Sequence, residues 1–381
     1  MKLLPVFGRR QESGDEPAVD KDANYSSQWR LMYVRFKKHK LARISLIVLA
    51  LLYAGALFAQ FLAPYGLENY DSKYVNASPM KLRFVDTEGK FHIRPFVYGL
   101  KSGRDPETMR KIFTADTKKK YPLQLFVKGE RYKFLGLIPS STHLIGVEEP
   151  GRLFLLGTDS LGRDLFSRIL LGSQVSLSIP LVGVGISFVL GLIIGGVSGY
   201  FGGWLDAVIQ RVIEIIRSFP TLPLWMALSA AIPPRIPVVR MYFYIVIIFA
   251  FIEWTGLARV VRGKFISLKN EDYVVAAKIA GVSDAKIIAK HLLPGFISYL
   301  VVATTLAIPG MILAETAMSF LGLGIRSPAT SWGVLLQEAQ KIDNIALYPW
   351  KIIPLGTVIL TVLTFNFLGD GLRDAADPYK R

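Results

Sequence analysis

No cysteine occurs anywhere in this 381-residue chain, which excludes disulfides, thiolate metal sites and cysteine nucleophiles. Histidine is nearly as scarce: His39, His92, His143 and His291 are scattered, and no H-E-x-x-H pair is formed. Also missing are a G-x-x-x-x-G-K-[ST] phosphate loop, a G-x-S-x-G nucleophile elbow and an EF-hand calcium loop. Gly263-Lys264 comes nearest to a phosphate loop, but Phe265 follows it and the upstream glycine is absent. The chain therefore reads as non-catalytic, holding no metal and no cofactor of its own.

Apolar residues, by contrast, are abundant. They make up 51% of the sequence, and the mean hydropathy is +0.38, so lipid is the first solvent to consider. A net charge of +16 could suit nucleic acid. Much of it flanks apolar stretches, however, where anionic head groups attract Lys and Arg, so the sequence points to a bilayer and to no nucleic-acid partner. Residues 1–29 are polar and without apolar period, and are expected to be a disordered tail. After Arg30, Arg35, Lys37, Lys38, Lys40 and Arg43, the run Ile44–Ala63 has no charge; as a helix it spans about 30 Å, the thickness of a hydrocarbon core. It is too long for a signal-peptide core and lacks a cleavage site, so it reads as a retained first span.

Further spans are expected at Val175–Tyr200, Pro220–Ile232 with the helix leading into it, Met241–Ala258, Phe296–Leu321 and Ile352–Leu368. That makes six. The basic groups before span one, after span four (Arg259, Arg262, Lys264, Lys269) and after span six (Arg373, Lys380, Arg381) then share one side, as the positive-inside rule requires, with both termini cytosolic. Arg235 and Arg240 fall outside in this scheme. Residues 71–150 form an extracytoplasmic insertion. Lys81–Val85 and Phe91–Val97 alternate around Asp86-Thr87-Glu88-Gly89, predicting a hairpin, and Leu123–Val127 with Arg131–Leu135 predict a second around Lys128-Gly129-Glu130. The organisation expected is thus a tail (1–29), a basic segment with span one (30–70), the β-rich insertion (71–150) and a transmembrane core (151–381) containing a structured cytosolic loop (270–295).

Two patterns stand out in that core. Gly183, Ser187, Gly191, Gly195, Gly199 and Gly203 recur every fourth residue, which keeps them on one drifting helix face where another backbone can approach. Packing within the chain and contact with a partner or the transport path both fit this ridge. The second pattern is Asn270–Pro294. Asn270 is expected to cap a helix opened by Glu271 and Asp272, with Ala276, Ala277 and Ala280 as a smooth face and Gly281 as its left-handed terminator. After Val282, Ser283 is expected to cap a second short helix with Asp284 in its first turn, which Leu293-Pro294 would close.

This segment resembles the cytosolic EAA loop of binding-protein-dependent ABC importers: Ala276, Ala277, Gly281, Leu293 and Pro294 stand in register. Val275 replaces the family's Glu, and His291 its Ile. Further stretches are similar to the C-type permease subunit of the dipeptide/oligopeptide/nickel branch. They are Leu156-Gly157-Thr158-Asp159-Ser160-Leu161-Gly162-Arg163-Asp164 with Ser167-Arg168, Gly199-Tyr200-Phe201-Gly202-Gly203-Trp204, Ala314-Glu315, Ser319-Phe320-Leu321-Gly322-Leu323-Gly324, Ser331-Trp332-Gly333, and Asn366 to Asp374. The resemblance covers about residues 30–70 and 150–381; the insertion departs from it. It implies an all-α polytopic membrane protein with six transmembrane helices of the type I (MetI-like) ABC importer permease fold and a small β-containing extracytoplasmic insertion. It also implies a bacterial inner-membrane location, a second homologous permease, two ABC ATPase subunits that use ATP and Mg, an extracytoplasmic substrate-binding protein, and coupling through the loop around Gly281. Peptides are the cargo it suggests, with oligosaccharides as an alternative and nickel behind both.

Of the charged residues at membrane depth, Glu315 follows Pro309-Gly310 and is the candidate for the translocation path. Glu253 is read as lying near a span end, Asp370 as pairing with Arg373, and Glu214 as pairing with Arg211 and Arg217. A stand-alone secondary transporter or channel is the rival of another class; it calls for internal repeats and mid-membrane charge relays, neither of which is evident.

Overall fold

The computed structural model describes residues 28–107, 109–134, 136–233, 236–326, 329–340 and 342–377. The expected disordered tail lies outside them except for Gln28 and Trp29, which are helical, and Arg235, Lys380 and Arg381 lie outside as well. Helix α1 (Gln28–Lys38) ends on Arg35, Lys37 and Lys38, cations that suit the negative end of its dipole. His39 separates it from α2 (Lys40–Leu57) and caps the latter, its Nδ1 accepting from the Ala42 N–H at 3.1 Å. A four-residue helix, α3 (Ala59–Leu62), prolongs the first span.

The chain then forms two small antiparallel sheets. Strands β1 (Arg83–Val85), β2 (Phe91–Arg104) and β3 (Lys111–Pro122) pair in that order, while β4 (Gln124–Phe134) pairs with β5 (Ile138–Gly146). The expected turn at 86–89 is present: Gly89 has φ +81, and Asp86 Oδ1 accepts from Glu88 and Lys90. His92 and Lys120 bond the other carboxylate oxygen, and these contacts hold the Asp86 carboxyl well below the usual range. The second expected hairpin is wrong. Lys128-Gly129-Glu130 lies inside one strand, and the turn comes later, at Gly136 (φ +74). Gly129 serves a close cross-strand approach instead: a Cβ there would sit 2.7 Å from the His143 ring.

The transmembrane part is helical: α4 (Leu165–Phe201), α5 (Gly203–Ser218), α6 (Thr221–Ala230), α7 (Val238–Leu268), α8 (Asp272–Ile279), α9 (Asp284–Ile287), α10 (Ile297–Phe320), α11 (Trp332–Ala339), α12 (Ile342–Leu347) and α13 (Ile353–Ala376). Among the described residues five helical stretches are long and apolar enough to cross a membrane: Lys40–Leu57, Leu165–Phe201, Val238–Leu268, Asp284–Phe320 and Pro349–Ala376. The expected third span contracts to α6, ten residues and roughly 15 Å, half a hydrocarbon core. Proline is the cause. Phe219, before Pro220, takes an extended conformation (φ −88, ψ 137) that splits α5 from α6.

Two alignments order the bundle. On α4, Ser187 faces Ala250, Gly191 faces Trp254, Gly195 faces Ala258 and Gly199 faces Arg262, a constant offset of 63 residues, so α4 and α7 run parallel. Along α5 and α6 the partners on α7 descend instead: Asp206 meets Arg262, Arg217 meets Thr255, and Trp225 meets Phe249. The α5–α6 pair therefore runs antiparallel to α7. Around these contacts Phe249, Ile312, Met318 and Trp332 form the centre of a fully buried core.

Candidate functional site

The elbow at Gly281 is built by backbone alone. Gly281 has φ +75, its N–H bonds the Lys278 carbonyl at 3.0 Å, and the Val282 N–H bonds that of Ala277 at 3.1 Å. These two bonds close α8 in a Schellman motif, which a residue with a Cβ occupies only under strain. Glu271, not Asn270, holds the N-cap position of α8, and Ser283 holds that of α9 without a side-chain cap. Leu293-Pro294 does not close the second helix. The chain passes through a π turn (Ile288–Leu292) and a 3-10 turn (Leu293–Phe296) straight into α10. A proline without an N–H forces this local change of pitch rather than a stop.

The small-residue face also divides. Ala276 and Ala280 are exposed, whereas Ala277 is half-buried and packs beneath the loop with Val274, Ile287 and Leu292. Tyr273, Val275 and Ile279 complete the outward side, and Ile279 is 83% exposed. A tether that the sequence reading missed joins this loop to the long helices. The Tyr200 hydroxyl, at the end of α4, donates to Asp284 of α9, and Lys278 of α8 lies 5.0 Å above its ring. Tyr200 stands in the Gly199–Trp204 motif, so its position was visible, but its long-range partner was not. Nearby, Arg262 bonds both oxygens of Asp206 at 2.6 Å.

The glycine ridge serves packing within the chain. A Cβ on Gly191 would lie 2.8 Å from Leu257, one on Gly195 2.8 Å from the Ala258 Cα, and one on Gly199 2.7 Å from the Arg262 carbonyl oxygen. Gly183 faces Met311 on α10 instead, and Gly203 (φ +62) has left the ridge to open α5.

Between α4, α6, α7 and α10 lies a cavity of about 600 Å³. Glu315 does not line it. Its carboxylate accepts from Ser319 Oγ at 2.7 Å and Ser176 Oγ at 3.2 Å, and Ser176 Oγ in turn accepts from the Trp332 N–H at 3.0 Å. Glu315 thus ties α10 to α4 and α11, fully buried, as a structural clasp. The ionisable residue on the cavity wall is Glu253, among Ser187, Thr304, Gly310 and apolar neighbours. It occupies the middle of α7, a helix that runs further in both directions than the apolar run Met241–Ala258. Arg211 pairs with Glu214 at 3.0 Å as expected, but Arg217 turns away to bond Thr255 Oγ1 at 3.1 Å, next to Glu253.

Motifs far apart in sequence converge at the other end of the bundle. Arg168 bonds Asp159 at 2.6 Å and Glu338 on α11 at 2.7 Å, and Arg163 joins the same two carboxylates at 2.7 and 2.9 Å. The Trp332 indole N–H donates to the Ile169 carbonyl at 3.1 Å, and that of Trp350 to Thr158 at 3.1 Å. Asp164 caps α4, accepting from the Ser167 N–H at 2.8 Å. Its other oxygen is buried without a hydrogen-bond partner, and burial pushes this carboxyl up to about 7.

Residues 187–381 match the family described as binding-protein-dependent transport system inner membrane component, and residues 27–79 match the N-terminal TM domain of oligopeptide transport permease C. The oligopeptide transport system permease protein OppC of Haemophilus influenzae is 42% identical over 226 residues, covering 59% of this chain and 70% of its own. The glutathione transport system permease protein GsiD of Pectobacterium atrosepticum is 31% identical over 360 residues, 94% of each chain. Among solved structures, an inward-facing MetNI methionine ABC transporter is 20% identical, covers 55% of this chain and 96% of its own, and has a TM-score of 0.44. The chain belongs to the binding-protein-dependent transport system inner membrane components, as a multi-pass, non-catalytic permease subunit of an ABC importer.

Proposed function

We propose that this permease forms half of a path for peptides, paired with a second homologous permease and driven by two ATPase subunits. An ATPase and a binding protein are inherent in the family. The peptide cargo rests on its relatives, which are named for oligopeptide, dipeptide and glutathione transport. The observation that carries the mechanical half is the elbow at Gly281: an exposed apolar surface ending on Ile279, held to the end of α4 by Tyr200. A push on that surface reaches a helix that crosses the whole bundle.

Six crossings fit this reading. Because α4 and α7 run parallel, the chain has to return between them, and α5–α6 runs antiparallel along α7 over the intervening length. Together these two helices provide roughly 39 Å, enough for one broken crossing. The sheets at 83–146 then lie outside and the elbow inside. The cavity beside Glu253 fits a segment of the path, and Glu253 is the residue placed to meet a substrate's ammonium group.

The test is uptake into vesicles by the permease pair reconstituted with its ATPases and binding protein. Labelled di- and oligopeptides should accumulate only with ATP. Accumulation of oligosaccharides without peptides would refute the cargo, and uptake without the ATPases would refute the class.

A further inference from the structure

The β4–β5 hairpin is strapped across the end of the first span. His143 Nδ1 lies 2.6 Å from the Ala63 carbonyl, and the Gly66 N–H donates to Glu130 at 3.1 Å. Two aromatic contacts then fix its direction. Phe126 packs on Phe61 (ring centroids 6.2 Å apart) and Phe134 stacks on Phe58 (5.6 Å). Phe126 and Phe134 are up to about 26 Å apart along β4, whereas Phe61 and Phe58 are about 4.5 Å apart along the helix, so β4 crosses the end of the first span steeply, with its Phe134 end on the α2 side. The hairpin lies across that end of the span.

Its turn stays at that level. Ile138 pairs with Phe134 across the reversal and Leu137 adjoins it in the turn, which places both near the level of Phe58 and Leu57. At this tip the sequence is apolar and open: Leu137 is 82% exposed and Ile138 60% exposed. Leu57 and Phe58 beside them are exposed too. Behind the tip, Arg131 and Lys133 are exposed on β4. An apolar tip with cations one and three residues behind its last strand pair, Phe134–Ile138, matches the order of acyl chains and anionic head groups met on leaving a bilayer.

We infer that the β4–β5 turn is a lipid-contacting anchor, with Leu137 and Ile138 immersed in the interfacial layer beside α2 and Arg131 and Lys133 at head-group level. The occupant follows from continuity: the adjoining face of α2 is apolar, with Ile47 and Leu51 exposed, on a helix long and apolar enough to cross a membrane. This assignment is independent of the transported substrate.

This chain supplies no thiol of its own, so it is labelled at an introduced cysteine before assembly with its partners. Leu137→Cys, Lys133→Cys and Lys128→Cys, each carrying an environment-sensitive fluorophore, are placed in the full transporter complex in phosphatidylethanolamine–phosphatidylglycerol vesicles. Leu57→Cys is the lipid-exposed reference. Quenching by lipids brominated on their acyl chains should be strong at Leu137, comparable to Leu57, and should fall through Lys133 to Lys128. A water-like, unquenched probe at Leu137 overturns the proposal. So does a probe shielded from aqueous iodide yet unreached by brominated lipid, since a protein would then cover the tip. ATP-driven uptake by each labelled complex reports that the chain is folded.

Discussion

Replacing Gly195 by alanine adds one methyl group where α4 rests on the backbone of α7. That carbon would sit 2.8 Å from the Ala258 Cα and 3.0 Å from its carbonyl carbon, both backbone atoms that no rotamer change can move. Ordinary carbon–carbon contact lies near 3.5–4.0 Å, so α4 and α7 have to part by about 0.7–1 Å. A gap of that size forfeits about a quarter to a half of each neighbouring dispersion contact, and overpacking of this kind costs about 1–3 kcal/mol. Gly185 provides the control. It lies on the same helix with nothing within 4 Å, so Gly185→Ala should only gain helix propensity, about 0.5–1 kcal/mol. Both substitutions gain that propensity, so the expected contrast between them, ten residues apart, is the overpacking cost alone, about 1–3 kcal/mol. Thermal unfolding of the purified complexes reads it directly: Gly195→Ala should lower the midpoint, and Gly185→Ala should leave it level or raise it. Equal midpoints would refute the ridge-on-backbone packing and the 63-residue register derived from it.

Other outcomes follow from the same geometry. Gly281→Val puts a β-branched residue at φ +75, a strain on the order of 1–3 kcal/mol; membrane insertion should persist while ATPase co-purification or uptake per ATP falls. Tyr200→Phe removes the donor to Asp284 and should lower uptake per ATP without loss of expression, and unchanged coupling would remove Tyr200 from the mechanism. Arg168→Met leaves Asp159 and Glu338 facing each other with less compensation, and should cost about 3–5 kcal/mol in denaturation midpoints, reduced by whatever Arg163 recovers. Asp164, whose folded pKa is raised to about 7 by burial, binds its proton more tightly folded than unfolded. Its stabilising share is therefore present below pH 4 and lost as pH rises toward 7, and Asp164→Asn should flatten that part of the stability–pH curve.

The five long spans were legible because an uninterrupted apolar run is a local property, and so was the elbow, since a Schellman turn depends on one glycine and its nearest neighbours. What escaped was set by contacts between distant residues. Lys128-Gly129-Glu130 has turn composition, yet Gly129 is there to admit His143 from the facing strand. Glu315 followed a Pro-Gly pair and so suggested a moving path, but three serines from three segments enclose it. Glu253 was discounted because hydropathy ended its helix at Ala258, whereas α7 continues to Leu268 by covering its polar turns with Asp206 and the end of α4. The expected third span was not legible for a physical reason as well: the chain there breaks at Pro220 into α5 and α6, and a window of fixed length does not register two halves.

The parallel ridge between α4 and α7 has a mechanical meaning. Its contacts repeat every four residues, about 6 Å of rise, and at three of them glycine leaves backbone resting against the facing helix. Sliding one helix past the other by less than that interval drives main chain into side chains, while a slide of the full interval leaves the end positions without partners. The pair thus behaves as a notched beam with a single seating. On the coupling proposed above, a stroke of a few ångströms delivered near Tyr200 would not be absorbed as slip along the seam; it would reach the far end, where Asp164 caps the same helix beside Arg168, as a tilt of both helices together.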